Sequence, residues 1–137
     1  MSEFLDRKAI LEVDDTQTEE VEVPEWGGKV LIKGLSGAER DSYEQSMVQG
    51  KGKNARMNMK NARAKLVALT TVVPDEEGGY ERVFKSKGDV KRLGKKSGKA
   101  LERVFSKARK LSGLTKEDME ELAGNSKDDQ SEDSILD

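Results

Sequence analysis

The chain has 137 residues, 34% hydrophobic and 38% charged with only six aromatics, which suits one small domain with a modest, mostly aliphatic core. It contains no Cys and no His, which removes disulfides, thiolate and imidazole nucleophile systems, and nearly all zinc sites. The net charge of −2 hides segregation: residues 1–50 carry 5 basic and 12 acidic side chains, residues 51–110 carry 18 and 6, and residues 111–137 carry 2 and 9.

In chain order, Phe4, Leu5, Ala9 and Ile10 predict one side of a short helix starting after Ser2, and DDTQTEE reads as an acidic linker. Val21 and Val23 then alternate with Glu20 and Glu22 at the two-residue period of a half-buried strand, and Lys29 to Lys33 supply a second apolar run. Between them Pro24-Glu25-Trp26-Gly27-Gly28 reads as a hairpin connection. Gly34 ends the second strand. Ser36 opens a helix with Glu39 three residues on, the spacing at which each side chain satisfies the other's free backbone N–H, and this helix is expected to run from about Gly37 to Gln49.

The glycines of Gly50-Lys51-Gly52-Lys53 break that helix. From Ala55 onward, Met59, Ala62, Leu66, Leu69 and Val73 recur at spacings of three or four, predicting a helix that Pro74 stops at or before Val73. The β-branched run Thr70 to Val73 supports a competing reading for its end, a second small hairpin with Tyr80 to Phe84 around the turn Asp75 to Gly79. A short helix capped by Ser86 with Asp89 follows, carries Val90 and Leu93, and ends at Gly94. A longer one opens at Ser97 and carries Leu101, Val104, Phe105, Ala108 and Leu111 on one face. Thr115 caps a last short helix, with Leu114 and Met119 as an apolar staple across the cap and Gly124 at its end.

These elements compose a mainly helical α+β fold. Residues 1–124 form a single small domain with its hairpin at about 20–34, and the acidic tail 125–137 is polar enough to be expected disordered. No apolar run approaches the roughly 18 residues that cross a bilayer, and MSEFLDRK has no apolar signal core, so neither a membrane nor export is expected.

Several tempting motifs fail on mechanism. Gly88 to Ser97 hints at a phosphate loop, but five residues separate Gly88 from Gly94 where four are needed, and Lys96 stands where Ser or Thr must follow Lys95. Asp14-Asp15, Asp75-Glu76-Glu77 and Asp128-Asp129 lack the alternating ligands and central Gly of a calcium loop. No catalytic residue, cofactor or metal is therefore assigned, and an enzyme is not expected. The basic block from Lys51 to Lys110 reads either as solvated helix faces, as a surface for an acidic protein, or as a nucleic-acid surface. Acidic flanks, few aromatics and no recognition signature argue against specific nucleic-acid binding.

The order and spacing of EVEVPEWGGKVLIKGLSGAERD, YEQSMVQGKGKNARMNMKNARAKLVAL and RVFKSKGDVKRLGKKSGKALERVFSKARKLSGLTKEDMEELAGN resemble the tail assembly chaperone family of long-tailed bacteriophages, across roughly residues 1–125. The resemblance implies a non-virion protein of the host cytoplasm that binds the tape measure protein, keeps it soluble, and helps recruit tail tube (major tail) subunits. It also implies that a longer form is made by programmed ribosomal frameshifting near the end of the reading frame. Self-association is a further expectation, because a modest core leaves burial to be supplied by a partner. Runner-up readings are a small nucleic-acid-binding or regulatory protein, and a structural tail component kept in the virion.

Candidate partner-binding residues follow from amphipathicity and charge. Trp26, in its Gly-flanked turn, is either folded onto the domain or offered to a partner. Met59 and Leu66, and likewise Leu101 and Phe105, sit on apolar faces that are core first and interface second. Lys95, Lys96 and Lys99 crowd the entry to the Ser97 helix, where positive charge opposes the helix dipole, so a contact with an acidic partner explains them better than local stability does.

Overall fold

Alternation in the acidic N-terminal third becomes strand β1 (Thr18–Val23), which pairs antiparallel with β2 (Gly28–Lys33) in the register Val21↔Val30. The computed structural model describes residues 3–50, 53, 56–57, 59–115 and 117–120. Between the strands, Pro24–Trp26 form one 3-10 turn, closed by the Gly27 N–H donating to Pro24 O at 3.0 Å. Gly27 stands there at φ 80, a left-handed conformation that a side chain disfavours.

Helix α1 (Arg7–Glu12) precedes the hairpin, capped by Asp6, whose carboxylate accepts from the Ala9 N–H at 2.8 Å. The expected apolar side is there, but it is not buried: every residue of α1 is exposed. After the hairpin, α2 (Gly37–Gln45) opens on the expected reciprocal cap, with Ser36 N–H donating to Glu39 Oε1 and Glu39 N–H to Ser36 Oγ. It ends at Gln45, short of the expected Gln49, because Met47 turns fully into the core and Val48–Gln49 (β3) pairs with Arg56–Met57 (β4). The helix expected from Ala55 is shortened by the same ribbon, and α3 spans Ala62–Thr70.

Tertiary pairing decides the end of α3. Thr70 and Thr71 return their hydroxyls to Leu66 O and Val67 O, both at 2.7 Å, and the chain leaves the helix as β5 (Thr71–Pro74). β5 pairs with β2 through Leu31↔Val72 and with β6 (Tyr80–Arg82), so the two hairpins merge into one antiparallel sheet of order β1-β2-β5-β6. The fold is α+β, with the second hairpin displacing the helical reading of Thr71 to Val73.

Helix α4 (Lys87–Leu93) and helix α5 (Gly98–Leu111) begin at their expected caps, Ser86 and Ser97. α5 lies across the sheet face that carries Val21, Val23 and Ile32, and its Leu101, Val104, Phe105 and Ala108 join Leu66 and Val67 of α3 in the core. Fixed charges mark the docking: Lys107 Nζ reaches Glu19 at 2.8 Å, and Arg103 reaches Glu25. Thr115 and Asp118 then exchange backbone N–H bonds at 2.8 and 2.9 Å, opening a helical turn at 117–120 over which Leu114 and Met119 pack on the core. The expected Gly124 terminus and the acidic tail lie outside the described residues.

Candidate functional site

The residues singled out by charge and aromaticity come to one end of the molecule, where the 3-10 turn of the first hairpin meets the N-terminal half of α5. Glu25 and Arg103 join the two parts: both guanidinium nitrogens donate to the carboxylate, at 2.5 and 2.9 Å. The Arg103 hydrogen bonds, with Lys99 adding a weaker attraction, hold the Glu25 carboxyl down at about 2, and Glu25 in turn raises Arg103. This pair bridges 78 residues of sequence, so no local pattern announced it.

Lys95 and Lys96 occupy the turn between α4 and α5, their backbone N–H groups donating to Arg92 O and Leu93 O. That placement changes the electrostatic expectation. The same lysines that stand before the α5 N-terminus also stand just past the α4 C-terminus, where positive charge is favourable, so the two helix ends oppose one another. Gly94 packs against Asn61, where an added Cβ would lie 3.1 Å from Oδ1, and this close approach sets the turn beside the start of α3. Lys87, Lys91, Arg92, Lys95, Lys96 and Lys99 are exposed and have no ion pair among the described residues. They form a basic crown over α4 and the entry to α5.

The apolar candidates belong to the core rather than to the surface. Leu66, Leu101 and Phe105 are buried, Phe105 with the Arg63 guanidinium 5.5 Å above its ring, and Met59 is half-buried against the core. Trp26 is half-buried and packs against the same core, its Nε1–H enclosed with no acceptor among the described residues. The accessible chemistry of this end is thus cationic, with an aromatic edge beside it. Among the described residues, no group of His, Cys, Asp or Glu is arranged to hold a metal ion, and no helix is long and apolar enough to cross a membrane.

A second surface has no sequence signal of its own. On the sheet face away from α5, a shallow hollow of about 360 Å³ lies between Leu69, Val72 and Tyr80, with Thr16 and Lys33 on its rim and the Glu39–Arg82 pair (2.9 Å) closing one side. Its parts come from four separate stretches of the chain. Only the hairpin alternative for residues 70–84 pointed toward it.

Against known proteins, the family model for phage tail assembly chaperone matches residues 7–129. The chain belongs to the phage tail assembly chaperone family. The match begins at the first residue of α1 and runs past the 117–120 turn, so the hairpin, the basic crown and the hollow all lie inside it. No curated protein and no solved structure matches the chain. The tail assembly chaperone assignment agrees with the resemblance carried by EVEVPEWGG, GLSGAERD and KLSGLTKEDMEEL. It implies contact with tail proteins during assembly, in a chaperoning role rather than a catalytic one.

Proposed function

We propose that this tail assembly chaperone binds the tape measure protein of its phage, keeps that long partner soluble, and helps recruit tail tube subunits around it. It does so without catalysis, in the host cytoplasm, and is left out of the finished virion; a frameshifted longer form accompanies it. The family match over residues 7–129 is the observation that carries this reading. The basic crown supports it physically. Six exposed cations that form no ion pair among the described residues make a surface suited to acidic stretches on a helical partner, and they steer its approach at low salt.

Co-expression with the cognate tape measure protein tests the proposal. The partner is expected in the soluble fraction with this chain present and in inclusion bodies without it, and charge reversal at Lys95, Lys96 and Lys99 is expected to weaken the rescue. Equal insolubility in both cultures would sink the assignment.

A further inference from the structure

Elsewhere on α5 the exposed cations meet carboxylates: Arg103 pairs with Glu25 and Lys107 with Glu19. The basic crown breaks that pattern, since its six side chains form no ion pair among the described residues. The two carboxylates that α4 and α5 themselves carry are committed. Asp89 Oδ2 accepts from the Lys85 N–H at 3.2 Å at the cap of α4, and Glu102 holds Arg63. Lys87 and Lys91 moreover stand four residues apart on α4, a spacing at which like charges repel.

The chain carries a matching run of opposite charge. Residues 128–133 read Asp-Asp-Gln-Ser-Glu-Asp, with four carboxylates in six positions and no cation among them. Reach allows the two to meet. Helix α5 leads away from the crown for about 21 Å at 1.5 Å per residue, and the turn at 117–120 stands at its far end, where Arg40 reaches both Gly113 O and Asp118. The acidic run starts eight residues after Glu120, and eight residues of extended chain cover up to roughly 26–29 Å. Tethering then decides between occupants. A segment of the same chain meets the crown at an effective concentration on the order of millimolar, which a separate acidic protein arriving by diffusion does not match.

We propose that residues 128–133 seat on the basic crown of their own chain, and that an acidic partner gains the crown by displacing them. The contact needs only this chain, whereas its role as a competitor rests on the crown being the partner surface. A partner with few carboxylates loses to the resident run, and a longer acidic stretch replaces it, so the run sets a threshold for what the crown accepts.

Carbodiimide coupling of the full chain at low salt, followed by peptide mapping, tests the seat. Amide links from the carboxylates of 128–133 are expected on Lys91, Lys95, Lys96 and Lys99 in preference to Lys110. That lysine is exposed, has no ion pair among the described residues, and lies at the end of α5 nearer to the run. A mixture of isotope-labelled and unlabelled chains is expected to give these links within one chain only. Competition is read with fluorescein-labelled polyglutamate as the probe. A chain carrying Asp128→Asn, Asp129→Asn, Glu132→Gln and Asp133→Asn is expected to bind the probe at least about fivefold more tightly than the parent at low salt, with the gap closing as salt is added. Adding Lys95→Glu, Lys96→Glu and Lys99→Glu to that chain is expected to abolish the gain. Links that favour Lys110, links between chains, or equal probe affinity of the parent and the neutralised chain would each overturn the self-contact. None of these measurements involves the tape measure protein, so their failure is distinct from insolubility of that partner in co-expression.

Discussion

Gly34 and Leu111 are in backbone contact: a Cβ on Gly34 would lie 2.3 Å from the Leu111 carbonyl oxygen. The contact joins the end of β2 to the last turn of α5, and beside it the Leu35 N–H donates to the buried Ser112 Oγ at 3.0 Å. Gly34→Ala pushes a methyl group into a carbonyl that has no room to retreat. It is expected to cost about 2–3 kcal/mol and lower Tm by roughly 10 °C. Gly37→Ala is the control, since a Cβ there meets nothing within 4 Å among the described residues and sits in the first turn of α2. Equal Tm values for the two variants would refute the close-approach account.

Tyr43 is the one buried residue of α2, and its hydroxyl donates to Ala62 O at 2.9 Å, tying α2 to the first turn of α3. Burial raises its phenol well above the ordinary range, so the ring is not expected to ionise before the fold opens in alkali. Tyr43→Phe keeps the packing and loses the hydrogen bond, at an expected cost of about 1 kcal/mol, while Tyr43→Ala removes the packing as well and costs about 3–5 kcal/mol. Urea titration of both variants checks the order. A phenylalanine variant as unstable as the alanine one would mean that the hydrogen bond, rather than the ring, anchors α2.

Acid sensitivity follows from the Glu25–Arg103 pair. Glu25 is held at about 2 in the fold against an ordinary value of 4.5, chiefly by the Arg103 hydrogen bonds. A carboxylate depressed in this way stabilises the fold fully above its unfolded value and loses that contribution as pH falls through its folded value. Glu25→Gln is therefore expected to melt below the parent at pH 7, with the gap closing between pH 4.5 and 2. A gap that stays constant across that window would show that the pair does not set the pH dependence.

Local chemistry made most of the elements legible. Ser36 with Glu39, Ser86 with Asp89, and Thr115 with Asp118 are reciprocal or one-sided caps readable at a spacing of three, and each marks a helix start. The end of α3 was not readable in the same way. Its stripe continues through Val73 at helical spacing, and pairing with β6, the hairpin alternative, together with β2, some 40 residues earlier, makes Thr71 and Val72 strand. The partner-facing end was legible in part. Lys95, Lys96 and Lys99 stood out by charge and are exposed, whereas the Glu25–Arg103 bridge and the Tyr80 hollow depend on contacts between distant stretches. The exposure of α1 was hidden for a related reason: an apolar stripe shows that a face seeks cover but not which molecule supplies it.

The basic crown separates an acidic protein partner from nucleic acid as its target. Its cations flank two helix ends of opposite effect, so reversing Lys95, Lys96 and Lys99 to Glu is expected to change stability by no more than about 0.5 kcal/mol. Any loss of binding in that variant then reports the surface rather than the fold. Near physiological salt, association with mixed-sequence DNA or RNA is expected to be no tighter than the roughly 10⁻⁴ to 10⁻⁶ M of nonspecific contact, since none of the six crown residues is an aromatic on which a base could stack. Binding to the tape measure protein is expected to fall in the reversal variant and to weaken with added salt in the parent. Submicromolar nucleic-acid affinity that the reversal abolishes, with a salt slope equivalent to several phosphates, would transfer the crown to a nucleic-acid partner and overturn its assignment to tail assembly.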